Sequence, residues 1–223
     1  MLDLHFETQL PDFRLAVHCN LPGQGFTAIL GPSGCGKTTL ASNIAGLKTP
    51  SSGRIAINGL TFWSSDEHIS LPVHRRGIGF VFQTHRLFPH LTVFENLHFA
   101  NQIGGRPCQA NANELIDVLG IGHLLKRYPD TLSGGESQRV ALGRAILAAE
   151  TLLIMDEPLA SLDSERKEEL LGYFEQIPKI SSLPILYITH SANEAKRLAN
   201  TILTMSAGTI THINHQKGCS SCA

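Results

Sequence analysis

Gly31-Pro32-Ser33-Gly34-Cys35-Gly36-Lys37-Thr38 follows an apolar run at 26–30 and opens a helical pattern at 37–47. The octet satisfies G-x-x-x-x-G-K-[ST] at every fixed position, with the strand before it and the helix after it that the motif needs. Glycines let the backbone wrap so that successive N–H groups point inward as an anion nest. The helix N-terminus adds its positive end. Lys37 reaches the outer phosphates of a bound nucleotide as a point charge, the Thr38 hydroxyl offers an oxygen to Mg²⁺, and Thr39 extends the set. The competing reading is a Gly-rich turn that merely precedes a helix; strand, loop and helix in sequence argue against it.

Outward from this loop, short apolar runs bounded by Gly, Pro and Asn predict strands at 2–6, 14–19, 26–30, 54–57, 78–82, 152–156, 185–189, 202–205 and 209–213. Helical patterns cover 37–47, 112–119, 135–148, 164–175 and 192–199. The runs at 152–156 and 185–189 flank a helix and are continuously apolar, which is the pattern of a parallel sheet covered on both faces. The early strands follow one another closely and predict an antiparallel sheet packed beside the parallel one. From about 84 to 140 strand signals vanish, which predicts an inserted helical lobe. The fold class is therefore α/β, a phosphate-loop NTPase with a mixed sheet.

The 223 residues suffice for a sizeable core, and 42% hydrophobic against 17% charged residues excludes a disordered chain. Eighteen Lys plus Arg against 19 Asp plus Glu leave a net charge of -1, which disfavours a dedicated nucleic-acid binder. No apolar run reaches the roughly 18 residues needed to cross a bilayer, and the start, Met1 to His5, lacks the basic region of a signal peptide. Five scattered cysteines read as reduced thiols. Cys35, inside the loop, reads as a small residue that fits.

Leu152-Leu153-Ile154-Met155-Asp156-Glu157 is an apolar strand ending in two acids. Such a strand delivers the Asp156 carboxylate to the C-terminal edge of the sheet, where a Walker B Asp holds Mg²⁺. Strand alternation turns Glu157 elsewhere, toward an attacking water.

Leu132-Ser133-Gly134-Gly135-Glu136-Ser137-Gln138-Arg139 resembles the signature motif of ATP-binding-cassette (ABC) ATPases, at that family's spacing before Walker B. Gln83 resembles its Q-loop, Ser161-Leu162-Asp163 its D-loop and His190 its switch histidine. The resemblance covers nearly the whole chain. It implies one ABC ATPase domain, with 1–83 and 141–223 as the nucleotide-binding core and 84–140 as a helical lobe carrying the signature. Its cofactors are ATP and Mg²⁺, the metal held by Thr38, Gln83 and Asp156. Catalysis is implied for Glu157, His190 and Gln83. Ser133, Gly134, Gly135, Glu136 and Asp163 are implied to serve the ATP of a partner subunit, in a homodimer that closes on two nucleotides.

The family stacks adenine on an aromatic whose position falls near Thr8, leaving Phe6 and Phe13 as nearest candidates. The 87–93 stretch resembles the region that receives a membrane subunit, with Phe88 beside a proline. Arg75-Arg76 is a family-like pair to which no role is assigned. His212, His215, Cys219 and Cys222 are soft metal-ligand types at H-x2-H-x3-C-x2-C spacing. Stretches 2–6, 75–83, 86–90, 158–163 and 186–191 resemble the ATPase subunits of molybdate importers. The resemblance implies a peripheral ATPase at the cytoplasmic side of the membrane that powers uptake of molybdate or a related oxyanion. Its partners are integral permease subunits and, indirectly, a solute-binding protein. Thiamine-importer ATPases and soluble ABC ATPases are the alternatives.

Overall fold

Alternation builds the first hairpin. In β1 (Leu2–Gln9) the residues Leu2, Leu4, Phe6 and Thr8 are buried, and in β2 (Arg14–Leu21) Leu15, Val17, Cys19 and Leu21 are. They pair antiparallel from Leu2↔Leu21 to Gln9↔Arg14, a register that puts both apolar rows on one face where a one-residue slip would not. The computed structural model describes residues 1–11, 13–82, 86–104, 111–160 and 162–216, without side chains at 101–104 and 179–180. They fall into two compact units, 1–76 with 184 onward, and 77–183.

In the first unit, β4 (Ser52–Ile57) flanks β1 antiparallel, followed outward by β5 (Leu60–Ser64) and β6 (Ile69–Ser70). These last two strands lie outside those expected from sequence. Asn58 and Gly59, with φ of 49° and 84°, form the two-residue hairpin turn that announces β5. β3 (Gly25–Leu30) pairs parallel with β9 (Pro184–Ile188) on one side and with β10 (Thr201–Ser206) on the other. β9 is buried along its length, as its unbroken apolar run requires.

The antiparallel and parallel parts are joined edge to edge rather than packed face to face. β11 (Thr209–His215) runs antiparallel to β10 and meets β2 at Thr209↔Ala16. The β10–β11 turn, Ala207-Gly208, has φ of 45° and 77°, the left-handed pair that matches strand twist. A Cβ at Gly208 would lie 2.1 Å from the Arg14 carbonyl oxygen. Gly208 thus lets β11 approach β2, its own carbonyl accepting from Ala16 N at 2.7 Å.

Helix α1 (Lys37–Ala45) is buried through Leu40, Ala41 and Ile44. Arg76, only 3% exposed, caps its C-terminal end, donating to the carbonyls of Asn43 (3.1 Å), Ile44 (2.7 Å) and Leu71 (2.9 Å). A cation at a helix C-terminus satisfies carbonyls the helix itself leaves open. Burial holds the Arg76 guanidinium below its ordinary range. Arg75 is exposed, so the pair divides into a structural arginine and a solvated one.

The second unit contains the parallel pair β7 (Ile78–Val81) and β8 (Leu152–Asp156) with helices α2 (Val93–Gly104), α3 (Ala112–Val118), α4 (Gly134–Ala148) and α5 (Ser164–Ile180). A Cβ at Gly79 would lie 2.0 Å from the Ala145 carbonyl oxygen, so glycine there sets how closely α4 lies on β7. Helix α5 runs past its expected end at 175 and through Pro178, because Phe174 and Ile177 continue its buried face. No helix among the described residues is long and apolar enough to cross a membrane.

Replacing Arg76 by Ala removes the donor from the Ile44 and Leu71 carbonyls, while the Asn43 carbonyl keeps Gly46 N, and we expect a stability loss of about 2–3 kcal/mol in urea unfolding. An unchanged unfolding midpoint would contradict the capping role.

Candidate functional site

In the first unit the phosphate loop leaves β3 and enters α1 through Gly36, whose φ is 107°. No side chain caps this helix and no acid lies in its first turn. Its leading N–H groups are therefore presented as an anion site. Lys37, 5% exposed, donates its Nζ to the carbonyl oxygens of Gly31 (2.8 Å) and Pro32 (3.0 Å), which folds the ammonium inside the loop. A Cβ on Gly31 would lie 2.4 Å from the Met205 carbonyl oxygen, so the loop presses against β10. Gly208 N donates to the Cys35 carbonyl at 3.1 Å, tying the loop to the β10–β11 turn. Cys35 is buried; Ser33, Gly34 and Thr38 are exposed. These residues fit a nucleotide's phosphates, since they combine converging N–H donors with one held ammonium.

The aromatic candidates separate cleanly. Phe6 is fully buried in the sheet and cannot stack on a ligand. Thr8 is 5% exposed and accepts from Asn43 Nδ2 at 2.9 Å. Phe13 is half-buried, and a Cβ built on Gly36 would lie 3.2 Å from its ring. Phe13 therefore stands beside the phosphate loop. His190 is exposed, just past β9 and before the short helix α6 (Ala192–Leu198).

In the second unit Asp156, 8% exposed, ends β8. A carboxylate there and a threonine hydroxyl are the oxygen ligands that Mg²⁺ prefers. Glu157 does not follow the strand alternation expected of it. Its φ of 47° takes the chain into a left-handed turn closed by Ala160 N on the Glu157 carbonyl at 3.2 Å. For a non-glycine residue this conformation costs roughly 1 kcal/mol or more. The turn, not the pleat, aims the Glu157 carboxylate.

Ser133 caps α4 in a closed capping box. Its Oγ accepts from Glu136 N at 3.3 Å, and its own N–H donates to Glu136 Oε2 at 2.7 Å. Hydrogen bonds from the Ser133 N–H and from its hydroxyl hold the Glu136 carboxyl below the usual range. A Cβ at Gly134 would meet nothing within 4 Å, and one at Gly135 only Arg166 Cδ at 3.8 Å. Nothing among the described residues requires glycine at either position. Asp163 caps α5, accepting from Arg166 N at 3.0 Å, and this bond lowers its pKa. Gln83 and Ser161 lie outside the described residues.

The same unit holds a pocket of about 290 Å³ lined by Phe80, Phe82, Phe88, Phe99, Arg86 and Arg144. Phe88 and Phe99 meet with ring centroids 4.2 Å apart, and Arg144 lies over Phe88 at 5.0 Å. Buried Asn96 fixes the preceding loop, accepting from Phe88 N at 2.9 Å and donating to the carbonyls of Phe88, Leu91 and Thr92. Sequence reasoning singled out Phe88 but missed Asn96, whose fixed place in the first turns of α2 was its only signal.

His212 and His215 both lie on β11, three residues apart, and strand alternation sends them to opposite faces. They cannot share an ion as a pair. Cys219 and Cys222 lie outside the described residues, and no cluster of three metal-ligand side chains occurs among those described.

Residues 16–160 match the family model for the ABC transporter, well over half of the chain, and the chain belongs to that family. It is 47% identical over 212 residues to the molybdenum import ATP-binding protein ModC of Methylococcus capsulatus, covering 94% of this chain and 59% of that protein. It is 48% identical over 210 residues to the protein of that name from Yersinia pestis bv. Antiqua, covering 94% and 58%. The chain thus spans under three fifths of the length of the relatives it matches. Among solved structures, a dimeric bacterial ABC transporter cassette superposes with a TM-score of 0.79 at 25% identity, covering 98% of this chain and 100% of that one. A dimeric cassette bound to ADP and Pi, in a post-hydrolysis state, matches equally well.

The strain at Glu157 has a measurable signature. Glu157→Gly should be more stable than Glu157→Ala by about 1 kcal/mol in denaturant unfolding, since glycine alone adopts the left-handed region freely. Equal stability of the two variants would mean that the turn is unstrained.

Proposed function

We propose that the chain is the ATP-hydrolysing subunit of a membrane importer for molybdate or a related oxyanion. The observation that carries the ATPase reading is the uncapped N-terminus of α1 wrapped by a loop that holds the Lys37 ammonium. The family match and the dimeric ADP-bound neighbour support it. The oxyanion is read from the relatives, which are molybdenum import ATP-binding proteins.

Residues 31–39 bind the phosphates of ATP. Thr38 and Asp156 supply oxygens to Mg²⁺, with Gln83 as a further contact, and the metal neutralises charge on the phosphates when bound. Phe13 stacks on the adenine in place of the aromatic absent at Thr8. Glu157 orients and accepts a proton from the attacking water, held ready by its left-handed turn. His190 contacts the γ-phosphate. In-line phosphoryl transfer asks mainly for positioning and charge stabilisation, which these groups supply.

Ser133, exposed at the start of α4, contacts the nucleotide of a second copy, and Gly134 and Gly135 let that phosphate approach the α4 backbone. Glu136 keeps Ser133 in place, and Asp163 aligns the second site. ATP thereby favours a closed homodimer and hydrolysis releases it. The aromatic pocket around Phe88, rimmed by Arg86 and Arg144, receives an integral permease subunit at the cytoplasmic face. A solute-binding protein delivers the oxyanion from the other side.

Glu157→Gln should retain ATP binding and accumulate an ATP-bound dimer in light scattering. In vesicles containing the cognate permease it should abolish ATP-driven molybdate uptake. A monomer at saturating Mg-ATP would refute the two-site closure, and uptake at the wild-type rate would refute the role of Glu157. Phe13→Ala should weaken ATP binding by about tenfold, the loss of roughly one stacking contact of 1–3 kcal/mol. It should leave affinity for inorganic triphosphate unchanged, measured by calorimetry.

A further inference from the structure

Glu194 has the sequence setting of a helix cap but not the geometry of one. Ser191 is the N-cap of α6 and Glu194 stands three residues on, the S-x-x-E pattern of a capping box. In α4 the equivalent glutamate, Glu136, does reach back to the N-cap N–H. In α6 the Glu194 carboxylate turns inward instead. Its Oε2 accepts from Thr189 Oγ1 at 2.6 Å and from Tyr187 Oη at 2.9 Å. The Ser191 N–H that a capping box would give to the carboxylate is taken by Thr189 Oγ1 at 3.0 Å. Glu194 N completes the ring by donating to Ser191 Oγ at 3.3 Å.

This ring encloses one residue. Thr189 and Ser191, the two neighbours of His190, are joined through Thr189 Oγ1, which the Glu194 carboxylate holds in place, while His190 itself stays exposed. Glu194 is 9% exposed and Thr189 3%, so the anchor is in the interior and the histidine at the surface. Burying a carboxylate is costly, and here two hydroxyls and no helix amide receive it. A cap alone would be better served by the solvent-side geometry seen in α4.

We propose that Glu194 is the positioning residue for His190: its buried carboxylate fixes the backbone on both sides of the histidine and so holds the imidazole where the γ-phosphate will lie. This rests on the reading of His190 as a group that acts on the nucleotide. Tyr187 is part of the same anchor; burial first, and the Glu194 charge second, push its hydroxyl far above the ordinary phenol range, so it stays a donor. The strand β9 continues into the anchor, with Thr189 N donating to the Ile29 carbonyl at 3.2 Å.

The test is a double-mutant cycle on the full chain, read by single-turnover ATP hydrolysis with enzyme in excess. Glu194→Gln should lower the rate roughly tenfold to a hundredfold, the usual consequence of small misplacement. Nucleotide affinity should stay within about twofold of wild type, and Glu194→Gln should add less than about twofold to the loss in a His190→Ala background. Equal losses in both backgrounds, or no loss in either, overturn the proposal. A His190→Ala rate equal to wild type overturns instead the role of His190 on which it rests. Should Glu194→Gln fail to fold, Thr189→Val and Thr189→Ser decide. The serine variant should keep the rate and the valine variant lose it, and equal rates in the two overturn the proposal.

Discussion

The hydrogen bond from Gly208 N to the Cys35 carbonyl is the constraint on which the nucleotide end of the first unit turns. A phosphate loop must keep its N–H groups pointing inward, an arrangement with few internal bonds to hold it. Here the holding is done from outside. One turn residue, Gly208, donates to the loop and accepts from Ala16 in β2, while Gly31 presses against the Met205 carbonyl. The loop is clamped between the end of β10 and the turn that follows it. The same turn starts β11, which joins the antiparallel strands to the parallel ones. One glycine thus serves both the sheet and the loop, because only a residue without Cβ fits against the Arg14 carbonyl in a left-handed conformation.

Much of this was legible in the sequence, because local chemistry and fold agree at the phosphate loop, at β8 and at the α4 cap. The amphipathic strands β1 and β2 were readable from alternation, and the buried strands β8 and β9 from unbroken apolar runs. What escaped was of two kinds. β5 follows the turn signal Asn58-Gly59 with the apolar Leu60, Phe62 and Trp63, a short run outside the strands expected from sequence, and α5 overran its expected end because a buried face outweighed one proline. The other kind was long-range. Nothing in the order of residues shows that Arg76 reaches the end of α1, that Asn96 fixes Phe88, or that Glu194 abandons its cap for Thr189. Sequence alternation also gave the wrong reason for Glu157, whose direction comes from a left-handed turn.

The two capped helices show how one sequence pattern serves two purposes. At α4 the serine and glutamate satisfy each other, beside two glycines that no packing among the described residues requires. At α6 the same pattern spends the glutamate on the preceding strand. The difference lies in the neighbour at the strand end. Thr189 offers a hydroxyl that can replace the carboxylate on Ser191 N, which frees the carboxylate to turn inward.

Thr8 carries a consequence for how this family can vary. It is buried, and its hydroxyl accepts from Asn43 Nδ2, while Asn43 Oδ1 has no partner among the described residues and the Asn43 carbonyl receives Arg76. An aromatic ring at position 8 would leave Asn43 with neither side-chain bond satisfied inside the core. Positions 8 and 43 are therefore free to drift only together, as a polar pair or as an apolar one.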